Sequence, residues 1–494
     1  MSRERRLGLA ILATALIVGA ALRLWLALHD DGLFYPDEIF QSLEPAHWLA
    51  FGYGLLPWEY LDGARSWGLP GLIAGLLELC RAFRLDDPHA YVLVVRLSFC
   101  AVGVATAWAS WRLARAFGAS EPRAAVGAAL FALVFPAVYF APRAMSETAC
   151  ALPATLGFAL AVAPGAGRRD RLVGASLLGL AVLLRLQAGV FCAGAALTLA
   201  ARALRTKRWR PFLECTGTLG LWAFALGLLD RLTWGDWFHT ARVYLEFNLI
   251  SNGAARFGTA PFGYYAQVLW QSCGLAIVAF GLLALLSVRR APGAFLTAAA
   301  FFLLHCFVEH KESRFILPLL PFVGALAALG LEELSRLAPP RVELVAGVVA
   351  LSWLVPAARL TDHTLGELGQ GFSPQSAALD FGGPVDRLLF AAHGRPDLCG
   401  LKVEDTHLAW TGGYAYFHRE LPLYYPSGPD RASGRYNYVI APVARARGGA
   451  VVAREGDEAL IRLGARCSPD AGYWADFRSR RGQGFRDPAP YLRR

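Results

Sequence analysis

Long apolar runs separated by short polar loops fill residues 1–358 of this 494-residue chain. A run of about 20 apolar residues is long enough to cross the hydrocarbon core of a bilayer as a helix. We therefore predict an all-α polytopic membrane protein of about 11 transmembrane helices. The predicted spans lie near residues 7–28, 90–113, 122–141, 146–163, 171–187, 188–204, 210–229, 264–287, 293–309, 315–335 and 341–358.

The arginines in the loops predict the orientation of these spans. Every second loop is rich in arginine, as in RERR, WRLARAF, GAGRRDR, RALRTKRWR, SVRRAPG and SRLAPPR. Because basic loops remain on the cytoplasmic side, these loops are predicted to be cytoplasmic. The apolar stretch 67–83 agrees with this alternation only if it does not cross. Its Pro70 and Glu78 favour a helix that lies at the interface or re-enters the membrane.

The unusual polar residues of the membrane part then fall on the extracytoplasmic face. Polar residues gathered on one face of a membrane domain indicate a functional site. We therefore predict a catalytic transmembrane domain over residues 1–358, whose first extracytoplasmic loop at 29–89 contains interfacial helices. The polar stretches of this face are 29–66, 141–147, 230–263 and 310–315.

The tail at residues 359–494 differs in character from the rest of the chain. Strand-like runs such as YNYVIAPVA and AVVAREGDEALIRL, separated by glycine and proline, predict a small C-terminal α/β domain on the extracytoplasmic side. Cys399 and Cys467 both lie in this tail, where an oxidising compartment would let them pair. The sequence leaves that pairing open.

The composition supports the membrane assignment, with 55% hydrophobic and 17% charged residues. The net charge of +10 comes from arginine, since the lysines are Lys207, Lys311 and Lys402. Basic loops flanking apolar spans account for this charge, so we predict no nucleic-acid partner. The N-terminal MSRERR and its apolar run lack a small-x-small cleavage site, which favours a retained signal anchor.

Two adjacent carboxylates, Asp37 and Glu38, stand among aromatic residues just after the first predicted span. One interpretation is structural, because Pro36 suits the first turn of a helix and Asp37 its electropositive start. The other is catalytic. Aromatic side chains such as Tyr35 and Trp58 would exclude water, which raises the basicity of a carboxylate and suits a general base.

The segment HKESRF at 310–315 places three candidate cations, His310, Lys311 and Arg314, around Glu312. A strong phosphate site needs such a density of donors. The alternative is a charge anchor at the end of a span. The predicted extracytoplasmic position argues against it, since cations are favoured on the other side.

Further polar residues lie at predicted span ends. Arg143 and Glu147 are spaced for a simple helical salt bridge, whereas Arg185 at a span end has few structural explanations. The segment 230–265 is too long and aromatic for a linker and suits a lid or substrate wall. The predicted substrate-contacting residues are Glu312, Arg143, Glu147, Arg185, Gln187, Tyr35, Trp58, Asp230 and Asn248.

Several of these segments resemble the lipid-linked mannosyltransferases of glycosyltransferase family 22, which act on GPI anchors and asparagine-linked glycans. YPDEIFQSLEPAHWLAFGYGLLPWEY is similar to the family's H-P-D-E-x-x-Q opening and its G-x-G-x-x-T-W-E-[WY] continuation, and HKESRFILPLLP to its H-K-E-x-R-F motif. ARSWGLPG, PRAMSE and the 230–265 segment extend the resemblance over residues 7–335. Tyr35 stands where the family usually has histidine, and residues 259–262 replace its His-Pro-Trp run.

The resemblance implies a GT-C fold and transfer of mannose, or a similar hexose, from a polyprenyl-phosphate donor to a glycan or glycolipid acceptor. It implies that Asp37 and Glu38 are catalytic, with Asp37 as the base, and that His310, Lys311 and Arg314 bind the donor phosphate. Inverting single displacement onto this acceptor requires no metal or cofactor. The sequence contains no phosphate-binding P-loop, dinucleotide fingerprint, H-E-x-x-H or D-x-D motif.

Two other functions remain possible from the residues. A lipid or sugar-lipid transporter would also gather polar residues between spans, although transporters commonly show repeated halves. An accessory subunit without catalytic activity would carry the same motifs. The arginine-, alanine- and leucine-rich composition favours a bacterial inner membrane with a periplasmic active site, the eukaryotic equivalent being the ER membrane with a lumenal site.

Overall fold

The computed structural model describes residues 2–337, 379–464 and 467–470. The chain divides into two compact units, one formed by Met1–Leu26 with Ser98–Ala378 and the other by Ala27–Leu97 with Leu379–Arg494. The predicted span 341–358 and the predicted domain boundary after residue 358 lie outside the described residues.

Helices cover every other predicted span, as expected for a multi-pass membrane protein. Five helical segments of the described residues are long and apolar enough to cross a bilayer by length and composition, or six if the bent pair α13 and α14 forms one span. The total of eleven stays a prediction. The helices are α1 (Arg3–His29), α5 (Pro88–Ala116), α6 (Glu121–Leu133), α7 (Phe135–Tyr139), α8 (Ser146–Val162), α9 (Arg168–Leu184), α10 (Gly189–Thr206), α11 (Arg210–Trp234), α12 (His239–Leu245), α13 (Tyr264–Cys273), α14 (Ala276–Leu286), α15 (Pro292–Phe307) and α16 (Leu320–Leu337).

The predicted span 122–141 is interrupted between α6 and α7, and its sequence explains why. Pro136 has no N–H to donate to the carbonyl of Ala132 four residues earlier, so the helix cannot continue through it. The buried guanidinium of Arg23 donates to Ala132 O at 2.6 Å and to Ala137 O at 3.2 Å. An arginine within an apolar helix thus satisfies carbonyls near the helix break.

Small residues let the helices of the first unit approach closely. A Cβ on Gly174 of α9 would lie 2.4 Å from the backbone nitrogen of Ala161 in α8, and a Cβ on Gly127 of α6 would lie 2.4 Å from the carbonyl of Gly324 in α16. Such glycine contacts are typical of helix pairs in membranes, where close packing replaces the hydrophobic effect.

The second unit combines short helices with a mixed five-stranded sheet of order β2-β1-β3-β5-β4. Strand β1 pairs in parallel with β2 and β3, and β5 pairs antiparallel with β3 and β4. This confirms the predicted C-terminal α/β region. Its elements are α2 (Glu44–Phe51), α3 (Trp58–Leu61), α4 (Gly68–Ala82), α17 (Gly383–His393), α18 (Gly413–Phe417), β1 (Leu401–Val403), β2 (Leu423–Tyr424), β3 (Tyr438–Pro442), β4 (Gly449–Glu455) and β5 (Glu458–Leu463).

A disulfide joins Cys399 and Cys467, which the sequence had left open. Cys399 lies just before β1, and Cys467 lies after β5. The bond therefore ties the two ends of the strand-containing segment together, and it is compatible with an oxidising compartment.

Helix α4 corresponds to the stretch 67–83, which was predicted not to cross. Its 15 residues extend about 22 Å at 1.5 Å per residue, less than the thickness of about 30 Å of a hydrocarbon core. Leu69, Ile73 and Leu77 are buried on one face, while Leu72 and Leu79 are exposed on another. An amphipathic helix of this kind suits a membrane interface, and that location stays a prediction.

The buried carboxylate of Glu44 joins the two chain segments that make up the second unit. It accepts hydrogen bonds from the backbone nitrogen of Leu55 at 3.0 Å and from those of Tyr414 and Ala415 at 3.0 and 2.7 Å. Asp30 similarly accepts the backbone nitrogen of Asp380 at 3.0 Å. The predicted first loop therefore packs with the C-terminal segment.

A buried histidine pair gives this unit a pH-dependent stability. His47 Nε2 lies 2.8 Å from His418 Nδ1. Burial, reinforced by the neighbouring imidazole, lowers the pKa of His47 to about 3, and burial with His393 lowers the pKa of His418 to about 4. Below the unfolded pKa near 6.5 the unfolded chain therefore binds more protons, so this contribution is complete above that pH and is lost as the pH falls.

We expect His47→Gln to weaken this acid sensitivity. The buried Glu44 has the opposite effect on the pH dependence of stability, because burial raises its pKa to about 7. The quantity to measure is therefore how much the acid sensitivity of the variant differs from that of the wild type. Melting temperatures in detergent at about pH 7.5 and about pH 5 should differ less in the variant than in the wild type. His89→Gln, at an exposed histidine, should behave like the wild type. An undiminished acid loss in His47→Gln would contradict the assignment.

Candidate active site

The acidic motif lies on a short, irregular helical segment of the second unit. The backbone nitrogen of Phe40 donates to Pro36 O at 2.9 Å, and a π-helix follows at Ile39–Leu43. Isolated π-turns are frequent at functional sites. Asp37 at the start of this segment is half-buried.

Glu38 folds back onto its own loop. Its Oε1 accepts the backbone nitrogens of Phe34 at 2.6 Å and Tyr35 at 3.2 Å, and the residue is buried. The two adjacent carboxylates thus have different environments. Glu38 stabilises the loop conformation through these backbone hydrogen bonds, and Asp37 is the more exposed of the two carboxylates.

Several aromatic residues of the second unit contact one another. Tyr35 is buried, and Trp58 is partly buried as the first residue of α3. The ring of Tyr60 lies 4.8 Å from that of Trp67, which lies 6.1 Å from Trp48. The hydroxyl of Tyr60 donates to Gln41 O at 2.7 Å, which joins these aromatic residues to the acidic segment.

Sequence analysis missed one acidic residue of this unit, Glu59. It is buried, and its Oε1 accepts a hydrogen bond from Gln41 Nε2 at 3.0 Å. Burial, followed by the charge of Asp37, raises its pKa to about 7. Its place in the motif segment PWEY, directly after an aromatic residue, was the signal that could have identified it.

The basic motif belongs to the first unit, where it forms a buried chain of charges. Glu147 Oε1 accepts from Arg314 Nη1 and from Arg185 Nη1, both at 2.7 Å. Arg314 Nε also donates to Glu312 Oε2 at 2.5 Å, and Glu312 Oε1 lies 3.1 Å from His310 Nε2. Charges this deeply buried require such pairing.

The titration of His310 follows from these contacts. Burial alone would lower its pKa, but the hydrogen bond and charge of Glu312, with a backbone bond to Gly258, outweigh burial and raise the pKa. His310 Nδ1 lies 2.8 Å from Gly258 O. The protonated form is therefore favoured beside Glu312.

Lys311 lies close to backbone carbonyls. Its Nζ is 2.8 Å from Ala260 O, 2.5 Å from Val308 O and 3.5 Å from Glu309 O. The residue is 3% exposed, and burial lowers its pKa. In this arrangement the ammonium holds the segment around Ala260 against the end of α15.

The described residues around Arg185 use only part of its hydrogen-bond donors. Its Nη1 contacts Glu147 and Ser146 Oγ, the latter at 3.1 Å, whereas its buried Nε and Nη2 have no hydrogen-bond partner among the described residues. Ser146 is the first residue of α8, and the N-terminus of a helix favours anions. Unused buried donors at a helix start are what an anion would engage.

The remaining predicted residues have other contacts. The guanidinium of Arg143 lies 4.3 Å above the ring of Tyr139, and Gln187 Nε2 donates to the hydroxyl of Tyr244. Asn248 Nδ2 donates to Tyr244 O at 2.9 Å. These contacts fix side chains within the first unit. Glu147 binds Arg185 and Arg314, and its predicted salt bridge with Arg143 stays a prediction.

Asp230 holds the segment that was predicted to form a lid or substrate wall. Its carboxylate accepts the backbone nitrogen of Thr240 at 2.9 Å and the hydroxyl of the same residue at 2.7 Å. Asp230 is fully buried. The contact closes the turn between α11 and α12 and is consistent with a structural role.

The first unit thus brings together charged residues from three sequence segments, around Glu147, Arg185 and 310–314. In the described ranges, no group of three or more histidine, cysteine or acidic side chains is placed to hold a metal ion. Asp37 and Glu38 lie in the second unit. The residues of the buried cluster are Glu147, Arg185, His310, Glu312 and Arg314.

The chain resembles known proteins in both sequence and fold. It is 30% identical over 329 residues to GPI mannosyltransferase 3 of Yarrowia lipolytica, covering 65% of this chain and 63% of that protein. It is 28% identical to GPI alpha-1,2-mannosyltransferase 3 of Danio rerio, covering 82% and 73%. The chain therefore spans somewhat less than two thirds of the first relative.

Solved structures show the fold. ArnT from Cupriavidus metallidurans, bound to undecaprenyl phosphate, matches with a TM-score of 0.60 and 14% identity over 94% of this chain and 99% of that chain. An oligosaccharyltransferase from Archaeoglobus fulgidus matches with a TM-score of 0.51 and 13% identity, over 88% and 68%. The predicted GT-C fold is confirmed. Because the family model matches residues 14–365, this chain belongs to the Alg9-like mannosyltransferase family.

Proposed function

We propose that this protein transfers mannose, or a similar hexose, from a polyprenyl-phosphate donor to a glycan or glycolipid acceptor. The family and the GPI mannosyltransferases it resembles support the sugar and the reaction class. The undecaprenyl phosphate bound to the structurally similar ArnT supports a polyprenyl-phosphate donor. The observation that carries the proposal is the buried cluster around Glu147, whose arginines suit an anionic leaving group.

The proposed mechanism is an inverting single displacement. Asp37 takes the proton of an acceptor hydroxyl while the hydroxyl oxygen attacks the anomeric carbon of the donor sugar. The bond between that carbon and the phosphate oxygen breaks, and the electron pair leaves with the lipid phosphate. Arginine and histidine donors would stabilise the charge that grows on this phosphate in the transition state.

The contacts refine the proposed roles of the basic residues. Arg314 and His310 are oriented by Glu147 and Glu312, and Arg185 supplies buried donors that no described residue uses. We therefore add Arg185 to the donor-phosphate residues. Lys311, whose ammonium contacts backbone carbonyls, would support the phosphate site mainly by holding its loop.

The variant Arg185→Lys tests this role. Lysine keeps a positive charge for Glu147 but lacks the planar fork that presents the unused donors. We expect transfer to fall about 10²-fold, as for loss of one preorganised donor, with the KM for the donor rising. Arg202→Lys is the matched control, because Arg202 contacts the carbonyl of Val162. Equal transfer by both variants would contradict the role.

The decisive experiment is transfer by the purified protein. The donor is a synthetic polyprenyl-phosphate mannose, and the acceptor is a synthetic mannosyl lipid. The glycolipids that disappear when the gene is deleted identify the natural acceptor. We expect a new α-linked mannose on the lipid. Movement of the donor across vesicles without transfer would favour the transporter hypothesis, for which the comparisons give no support. An inactive protein with a native melting curve would indicate an accessory subunit.

The proposed location follows from the predicted orientation. The arginine-rich loops, predicted to be cytoplasmic, favour an extracytoplasmic position for the acidic and basic motifs, and the disulfide between Cys399 and Cys467 is compatible with that side. We propose a periplasmic active site in a bacterial inner membrane, or a lumenal site in the ER membrane if the source is eukaryotic. Cysteine-labelling of the loop containing Asp236, which is exposed, in intact cells would test the orientation.

A further inference from the structure

A second carboxyl group is fixed on the loop that carries Asp37. Glu59 lies in α3 and is 8% exposed. Its Oε1 accepts from Gln41 Nε2 at 3.0 Å, and the hydroxyl of the adjacent Tyr60 donates to Gln41 O at 2.7 Å. Gln41 is therefore held through its side chain and its backbone, and Glu59 is held with it.

Gln41 connects Glu59 to Asp37. It follows Asp37 by four residues on one continuous helical segment, and residues four apart lie on the same face of a helix. The charge of Asp37 accordingly acts on both Glu59 and Tyr60. Arg65 also faces Glu59 and partly offsets the effect of Asp37.

We propose that Asp37 and Glu59 form an electrostatically coupled carboxyl pair, joined through Gln41, in which Glu59 increases the proton affinity of the catalytic base. The inference rests on the proposed function, in which Asp37 is the base, and it deepens that function. Asp37 contacts the acceptor hydroxyl. Glu59 is a positioning residue, because it acts on the reaction through Asp37.

The physical reason is the weakness of an ordinary aspartate as a base. A solvated aspartate has a pKa of about 3.9 and takes a hydroxyl proton poorly, whereas an efficient general base has a pKa near the working pH. Two close carboxylates lose their protons in two steps that belong to the pair. Burial and the charge of Asp37 raise the pKa of Glu59 to about 7, against the opposing effects of Arg65 and Gln41.

The proton and electrons balance within the proposed displacement. The acceptor hydroxyl gives its proton to the Asp37 carboxylate, while its oxygen forms the new bond to the anomeric carbon. The electron pair of the broken bond leaves on the lipid phosphate. The proton then passes from Asp37 to water, since Asp37 is the more exposed member of the pair.

The pH dependence of kcat tests the pair. With synthetic polyprenyl-phosphate mannose and a synthetic mannosyl lipid, we expect wild-type kcat to rise with an apparent pKa near 7. Glu59→Gln should move this limb by about 2 pH units toward the ordinary carboxyl range. Gln41→Leu should move it the opposite way, because the hydrogen bond from Gln41 lowers the pKa of Glu59. The exposed Glu78→Gln should leave it in place.

Infrared titration of carboxyl protonation decides the same question without substrate. The wild type should show a carboxyl that titrates near pH 7, Glu59→Gln should lose it, and Asp37→Asn should shift it to lower pH because a neighbouring negative charge is removed. If the pH dependence of kcat or the infrared titration does not change in these variants, the carboxyl pair is wrong, and the proposed function still stands. A wild type whose carboxyl titrates as expected but which transfers no mannose would instead overturn the proposed function. Gln41→Leu decides the matter if Glu59→Gln does not fold.

Discussion

Replacing Asp37 with asparagine should nearly abolish sugar transfer while leaving the protein folded. Asparagine has almost the same size and keeps a polar group at this half-buried position, but it cannot accept the hydroxyl proton. Loss of a general base typically lowers the rate by about 10²- to 10⁴-fold. The measurement is kcat with the synthetic donor and acceptor, together with the melting temperature in detergent.

The matched control is Asp86→Asn, which makes the same chemical change at an exposed carboxylate of the second unit. It should retain wild-type transfer. Wild-type turnover by Asp37→Asn would refute the base assignment. A large fall in its melting temperature would show instead that Asp37 is needed for folding, as the structural interpretation of a helix start would require.

Replacing Glu147 with glutamine should strongly destabilise the protein. Glu147 is fully buried between Arg185 and Arg314, each 2.7 Å from the same oxygen. Glutamine fills the space but leaves these cations facing each other without their shared carboxylate. Removing one member of a buried ion pair costs about 3–5 kcal/mol, because an uncompensated charge remains. Melting temperature and yield of folded protein in detergent report this loss.

Glu214→Gln provides the comparison. Glu214 also contacts two arginines, with Arg210 at 2.9 Å and Arg171 at 2.5 Å, but Arg210 is 74% exposed and can return to solvent. Its second partner, Arg171, is 13% exposed, whereas the side chains of Arg185 and Arg314 are 1% and 2% exposed. Because ion pairs weaken as they reach solvent, we expect this variant to lose less stability than Glu147→Gln. A mild effect at Glu147, similar to that at Glu214, would contradict the structural importance of the buried cluster.

These two predictions separate the roles of the acidic and basic motifs. Asp37 is expected to affect the rate without affecting the fold, whereas Glu147 is expected to affect both, since it orients the arginines proposed to bind the donor phosphate. Rescue of folding without rescue of transfer, for instance in Glu147→Gln stabilised by lipid, would show that its role extends to the chemistry. The remaining activity of each variant at several donor concentrations distinguishes lost binding from lost turnover.

Local sequence patterns predicted much of the architecture. Each apolar run predicted to span within the described residues is helical, and the strand-like runs of the tail contain β3, β4 and β5. These predictions succeed because a membrane helix needs a continuous apolar run of sufficient length, and a strand needs a short run bounded by turn residues. The sequence analysis did not predict the break after α6, although Pro136 lies there. A proline in a membrane helix is tolerated when another group bonds to the carbonyl four residues earlier, which the proline leaves without a donor. Here Arg23 does so.

The sequence by itself determined that this protein is a multi-pass membrane protein of the mannosyltransferase family, since long apolar runs and two contiguous motifs carry that information locally. Only the tertiary structure decided the partners of the charged residues. Glu147 meets Arg314 across 167 positions, Glu38 turns back onto its own loop, and Glu59 is fixed by Gln41. Buried charges are placed by whichever opposite charge or donor the fold brings within hydrogen-bond distance, and no local pattern in the chain records that distance.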